Sequence, residues 1–199
     1  KRLFETKHVL NIRHYSGPNS PKKWDLWQLK RWDEMFQTTN KAEVEAKAHA
    51  QGLTCTWQKN DQLRLTNTQT ATRRHPVTGE TVWFNHVQVF HPLSAKVEYQ
   101  KIHAHRKNHR NFFYKNLTAL LTHFKRYQNL MDHTMYCTFG DGSPILPQHL
   151  EHILEVIWKN MVIEPWQQGD VVIIDNNATA HGRLPYSGAR NIQVAWTSA

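Results

Sequence analysis

The chain is short of the residues that staple small folds. It has two cysteines in 199 residues, Cys55 and Cys137, far apart and outside any metal-type spacing, which excludes a disulfide framework or a zinc knuckle. Two reduced thiols fit a cytoplasmic-type protein. No apolar run is long enough to span a bilayer, and no apolar leader region opens the chain. The chain begins with Lys1 rather than Met, which leaves a processed or partial chain open. It has no G-x-S-x-G elbow, phosphate loop or dinucleotide fingerprint, and that removes several large enzyme classes.

Lys and Arg, by contrast, outnumber Asp and Glu by 25 to 16, giving a formal charge of +9. Much of that excess lies in residues 96–133, where eight Lys/Arg face only Glu98 and Asp132. A basic patch can meet nucleic acid or an anionic surface. Here the aromatics sit at apolar helical positions rather than as a stacking platform, so nucleic acid is the minor reading. Apolar content of 39% and charged content of 21% are those of an ordinary globular chain, and the length suits one domain, 1–199.

No repeat or low-complexity linker divides the chain. Ser16 to Pro21 is a loop of turn formers, followed by Trp24, Trp27, Leu29 and Trp32 in a helix or helical turn. Asn40 caps a second helix, with Glu43 three residues on as in a capping box, and Gly52 ends it. Thr54–Trp57 and Gln62–Thr66 alternate as strands. Thr70–Arg74 is a third, and Thr81–Asn85 leaves the His75–Glu80 turn to close a hairpin. Residues 96–133 predict helix, with Phe113, Leu117, Leu120, Leu121 and Phe124 at helical spacing. Pro147 opens a helix whose apolar stripe is Leu150, Ile153, Leu154, Ile157, Trp158 and Met161. Val171–Asp175 is expected as a strand buried on both faces, and Ile192, Val194 and Trp196 as a half-buried final strand.

Most of the fourteen histidines are poor metal candidates. His103, His105 and His109 sit among Arg106, Lys107 and Arg110, which repel a cation. The H-x-E spelling of His149–Glu151 lies inside an amphipathic helix. His181 differs in its setting: it comes after the apolar run ending at Asp175 and begins a bend, and Arg190 opens the final strand. If the two flanking strands pair, both side chains can enter one cavity. Imidazole suits iron, and a guanidinium fork suits a carboxylate. On spacing alone, a turn histidine and a surface arginine remain the simpler reading.

Four blocks change that balance: "WDEMFQTTNKAEVEAKAHAQGLTCTW" (32–57), "RRHPVTGETVWFNHVQVFHP", "FGDGSPI" (139–145) and "PWQQGDVVIIDNNATAHGRLPYSGARNIQVA" (165–195). In this order they resemble the TauD/TfdA family of iron(II)- and 2-oxoglutarate-dependent dioxygenases, in its clavaminate-synthase-like and syringomycin-pathway-like branch. The resemblance implies a mainly β fold with inserted helices, a double-stranded β-helix or jelly roll incomplete at its N-terminus, with 96–133 as a helical, basic insertion. It implies iron(II) and 2-oxoglutarate as cofactors, and molecular oxygen and a small organic, amino-acid-like substrate as reactants. By motif match His181 of "AHGR" is the distal iron ligand and Arg190 of "SGAR" binds the far carboxylate of 2-oxoglutarate. Phe84, Asn85 and His86 of "WFNH" match the segment lining the substrate side. By proximity along the chain alone, Asp175 or Asn176 would support His181 from behind. Where the family often carries a second arginine, this chain has Asn191. The family's other two ligands come from an early H-x-D/E motif that residues 1–199 do not spell, which reads as the C-terminal part of a longer enzyme. Hydroxylation, desaturation and halogenation stay open. So do two other classes: an inactive, truncated jelly-roll binding module and a basic nucleic-acid-binding domain.

Overall fold

The computed structural model describes residues 2–21, 29–125, 127–129, 133–189 and 191–195. Trp24, Trp27, Arg190 and Trp196 therefore lie outside the described residues.

A four-stranded antiparallel sheet forms the frame. Its strands are β1 (Val9–Tyr15), β2 (Thr54–Gln58), β3 (Gln62–Gln69) and β6 (Met135–Phe139), in the order β2-β3-β1-β6. Side chains alternate across a strand, so Val9, Asn11, Arg13 and Tyr15 of β1 share a face. Register carries that face across the sheet. Val9 lies opposite Phe139, Asn11 opposite Cys137 and Tyr15 opposite Leu63. The core is built on this face in two parts. Phe4, Val9, Ala71, Val87, Phe90, Cys137, Phe139 and Ile145 fill one end; Tyr15, Trp32, Phe36, Val44, Ala48, Leu53, Leu63 and Leu65 fill the other. Polar Asn11 and Arg13 stand between the two clusters, and the Arg13 guanidinium lies 5.0 Å from the centre of the Phe90 ring.

Helices cover the frame. Among the described residues, α1 (Arg2–Lys7) and α2 (Trp32–Phe36) contribute Phe4, Trp32 and Phe36 to the core. The α3 helix (Lys41–Ala50) starts as the sequence predicts: the Asn40 side chain accepts the Ala42 and Glu43 N–H groups at 3.0 and 3.4 Å. Val44 and Ala48, one turn apart, then reach the core. The basic stretch forms two helices, α5 (Ser94–His105) and α6 (His109–Lys125), broken at Arg106–Asn108. Pro147 opens α7 (Pro147–Lys159), which buries Leu150 and Leu154 of its apolar stripe. No helix of the described residues is long and apolar enough to cross a membrane.

The hairpin also forms. β4 (Thr72–Arg74) pairs with β5 (Thr81–Trp83), Thr72 facing Trp83 and Arg74 facing Thr81. Its turn closes through His75 N–H to the Glu80 carbonyl at 2.8 Å, with Gly79 at φ +71°, the left-handed region that favours glycine. After β5 the chain enters the short α4 (Val87–Phe90).

The described residues form antiparallel sheets with helices, more of them in helices than in strands. The two late strands expected from the sequence do not form among them. Val171–Asp175 and 192–195 join no ladder, and Val171 and Ile173 are 86% and 95% exposed. An apolar, β-branched run has the propensity for a strand, but a strand is completed by partners on its edges. None of the described strands offers this segment one.

Candidate functional site

The geometry closest to the expected site is built where the hairpin meets the segment before His181. His75 opens the hairpin turn and is only 5% exposed. The N–H groups of Val77 and Thr78 both donate to its Nδ1, at 3.2 and 3.1 Å. Nδ1 is therefore an acceptor, the ring proton sits on Nε2, and Nε2–H donates to Asp175 Oδ2 at 2.8 Å, across 100 residues of sequence. Beside it, Arg73 Nη2 donates to Asn177 Oδ1. The Arg73 guanidinium also lies over the Phe84 ring, 3.4 Å from its centre, a cation–π contact.

Asp175 in turn organises the bend. Its Oδ1 accepts the Asn177 N–H at 2.9 Å. Its carbonyl accepts the Ala178 and Thr179 N–H groups at 3.2 and 3.0 Å and the Thr179 hydroxyl at 2.7 Å. The Asn177 N–H, and after it the His75 ring, hold the Asp175 carboxyl below the usual carboxylate range. This is an aspartate-capped turn, the local structure that Asp favours by bonding to its own backbone two residues on. His181 lies two residues beyond Thr179 and is exposed. Further along, Arg110 of α6 donates to the Tyr186 carbonyl at 3.3 Å, so the bend is attached on both sides of His181.

Phe84 and Asn85 lie by the hairpin, Phe84 under Arg73 and Asn85 buried, with its Nδ2 donating to the Thr70 carbonyl at 3.3 Å. Asn85 Oδ1 is buried without a hydrogen-bond partner among the described residues. His86 is exposed at the start of α4. Asp175 accepts from His75, and Asn176 is exposed. The convergence of His181 with Arg190 falls outside the described residues, because Arg190 does.

An iron site needs three fixed donors on one face. Among the described residues, no group of three or more His, Cys, Asp or Glu could hold a metal ion. The described residues alone do not fit the iron that the resemblance implies. Sequence reading passed over His75 and Arg73. A histidine and an arginine at a hairpin turn carry no local mark, and their partners are about a hundred positions away.

Comparison with known proteins locates the chain. The model of the "Taurine catabolism dioxygenase TauD, TfdA family" matches residues 11–196. The chain is similar to dapdiamide synthesis protein DdaC of Enterobacter agglomerans, 31% identical over 192 residues, which cover 96% of this chain and 49% of that protein. It is also similar to a clavaminate synthase-like protein of Arabidopsis thaliana, 32% identical over 83 residues, 42% of this chain and 24% of that protein. The chain thus spans about half the length, or less, of the curated relatives it matches.

Proposed function

The chain belongs to the taurine catabolism dioxygenase TauD, TfdA family, and on that premise we propose that it serves in an iron(II)- and 2-oxoglutarate-dependent oxygenase acting on a small organic substrate. The family match carries this reading, because residues 11–196 take in both His181 and Arg190. In it, His181 gives one nitrogen to iron and Arg190 grips the distal carboxylate of 2-oxoglutarate through its planar fork. The remaining iron donors come from polypeptide other than the described residues. We read residues 1–199 as one domain and the antiparallel sheet as part of a jelly roll. Phe84 and Asn85 form the substrate side, where the unpartnered Asn85 Oδ1 suits a hydrogen-bond donor on the substrate. The relatives, one named for dapdiamide synthesis and one likened to clavaminate synthase, support a small, amino-acid-like substrate.

A second reading is a non-catalytic jelly-roll binding module. The lack of a three-donor group among the described residues favours it. One experiment separates the two. The complete protein is incubated with iron(II) and 2-oxoglutarate across a panel of small organic acids and amides, and succinate is measured. Substrate-dependent succinate, lost in His181→Ala and sharply reduced in Arg190→Ala, is expected of the oxygenase. Turnover unchanged in both variants overturns the site assignment. No succinate with any substrate favours the binding module.

A further inference from the structure

We propose that His75 is a positioning residue: its Nε2–H holds Asp175 and so sets the bend that leads into His181, with Arg73 on Asn177 as a second attachment. Only its consequence for His181 rests on the oxygenase reading; the attachment itself does not.

Four observations carry it. First, His75 is the fixed partner. Its ring is buried, and both ring nitrogens and both backbone polar groups are engaged, the carbonyl by Gly79 N–H at 3.0 Å. The Asp175 side chain is half exposed. Second, holding Asp175 holds the whole turn, because Asn177, Ala178 and Thr179 all donate to Asp175. Two residues of chain span at most about 7 Å, so a fixed Thr179 leaves His181 little room to wander. Third, the segment leading in, Val171–Ile174, joins no ladder. Backbone pairing therefore does not orient the bend, and side-chain attachments must. Fourth, a histidine needed only for its own hairpin would use Nδ1 alone. Here Nε2 reaches a residue 100 positions away.

The two ring nitrogens have separable jobs, and amide substitutions separate them. In His75→Asn, Oδ1 takes the place of Nδ1 and still accepts from Val77 and Thr78, but the side chain falls short of Asp175. In His75→Gln, the amide nitrogen takes the place of Nε2 and still reaches Asp175, but the Nδ1 acceptor is lost. Amide hydrogen exchange reads both ends. In His75→Asn, exchange at Ala178 and Thr179 rises about tenfold or more, the loss expected for a hydrogen bond to a charged group, while Val77 and Thr78 stay protected. In His75→Gln the pattern reverses. Equal loosening at both ends in both variants, or unchanged exchange at 178–179 in His75→Asn, overturns the proposal. Should neither variant fold, the wild-type protein decides. Nitrogen chemical shifts of the His75 ring must show the proton on Nε2 and bare Nδ1, and the opposite tautomer overturns the proposal. None of these readouts uses succinate, so loss of the attachment and failure of the oxygenase reading are seen separately.

Discussion

Replacing His91 should flatten the acid side of the stability profile. His91 comes directly after α4 and is buried, with its Nδ1 accepting the Leu93 N–H at 3.3 Å and its ring 5.9 Å from that of Tyr136. Burial pushes the imidazole down from 6.5 to about 4; the positive field of His133 adds to this, and a hydrogen bond to the Ile145 backbone opposes it. The sign depends on which state takes the proton first. The unfolded chain protonates near 6.5 and the folded protein only near 4. The stability that neutral His91 contributes is therefore fully present above about 6.5, falls away between there and about 4, and changes no further below. At ~1.4 kcal/mol per unit, that gap amounts to about 3 kcal/mol. Urea unfolding of wild type and His91→Gln, at several pH values from neutral to about 4, measures it. The stability difference between the two proteins should shift by that amount across the window. A difference that stays constant over the whole range refutes the reasoning.

Other outcomes rest on the packing. Leu63 is fully buried against Tyr15 and Leu65, so Leu63→Ala should cost about 2–5 kcal/mol in urea unfolding. Asn40→Ala removes the acceptor at the start of α3 and should cost about 1 kcal/mol in the same assay. A Cβ at Gly17 would sit 2.3 Å from both the Asp61 carbonyl oxygen and Trp32 Nε1, so Gly17→Ala should lower the melting temperature. The Cys137 thiol is pushed up to about 12 by burial, so mass spectrometry should find thiol reagents on the less buried Cys55 first, with Cys137 modified only on unfolding.

Local chemistry made some of this architecture legible. Asn40 marks a helix start because its side chain answers two N–H groups within three residues. The 72–83 hairpin shows because Pro76 and Gly79 punctuate it. Strands β2 and β3 show through their alternation. The interior strand β1 hides because Asn11, Arg13 and His14 interrupt its apolar residues; their partners are Gln69 and Arg64 of β3, the His133 carbonyl and Phe90 of α4, which the local sequence does not reveal. Val171–Ile174 misleads in the opposite sense: four apolar residues spell a buried strand, yet burial is a property of neighbours, and the described residues place none on its edges. The site divides the same way. His181 and Arg190 stand out through motif resemblance, whereas the His75–Asp175 and Arg73–Asn177 contacts join residues about a hundred positions apart, beyond the reach of periodicity or local spacing.

The most direct measurement is the affinity of the complete protein for 2-oxoglutarate with iron(II) present and oxygen excluded, for wild type and Arg190→Ala, by calorimetry. If Arg190 grips the distal carboxylate, the variant loses charge-assisted hydrogen bonds and binds roughly 10–100-fold more weakly. Equal affinity in the two proteins contradicts the assignment of Arg190 and, with it, the oxo-acid site on which the proposed function depends.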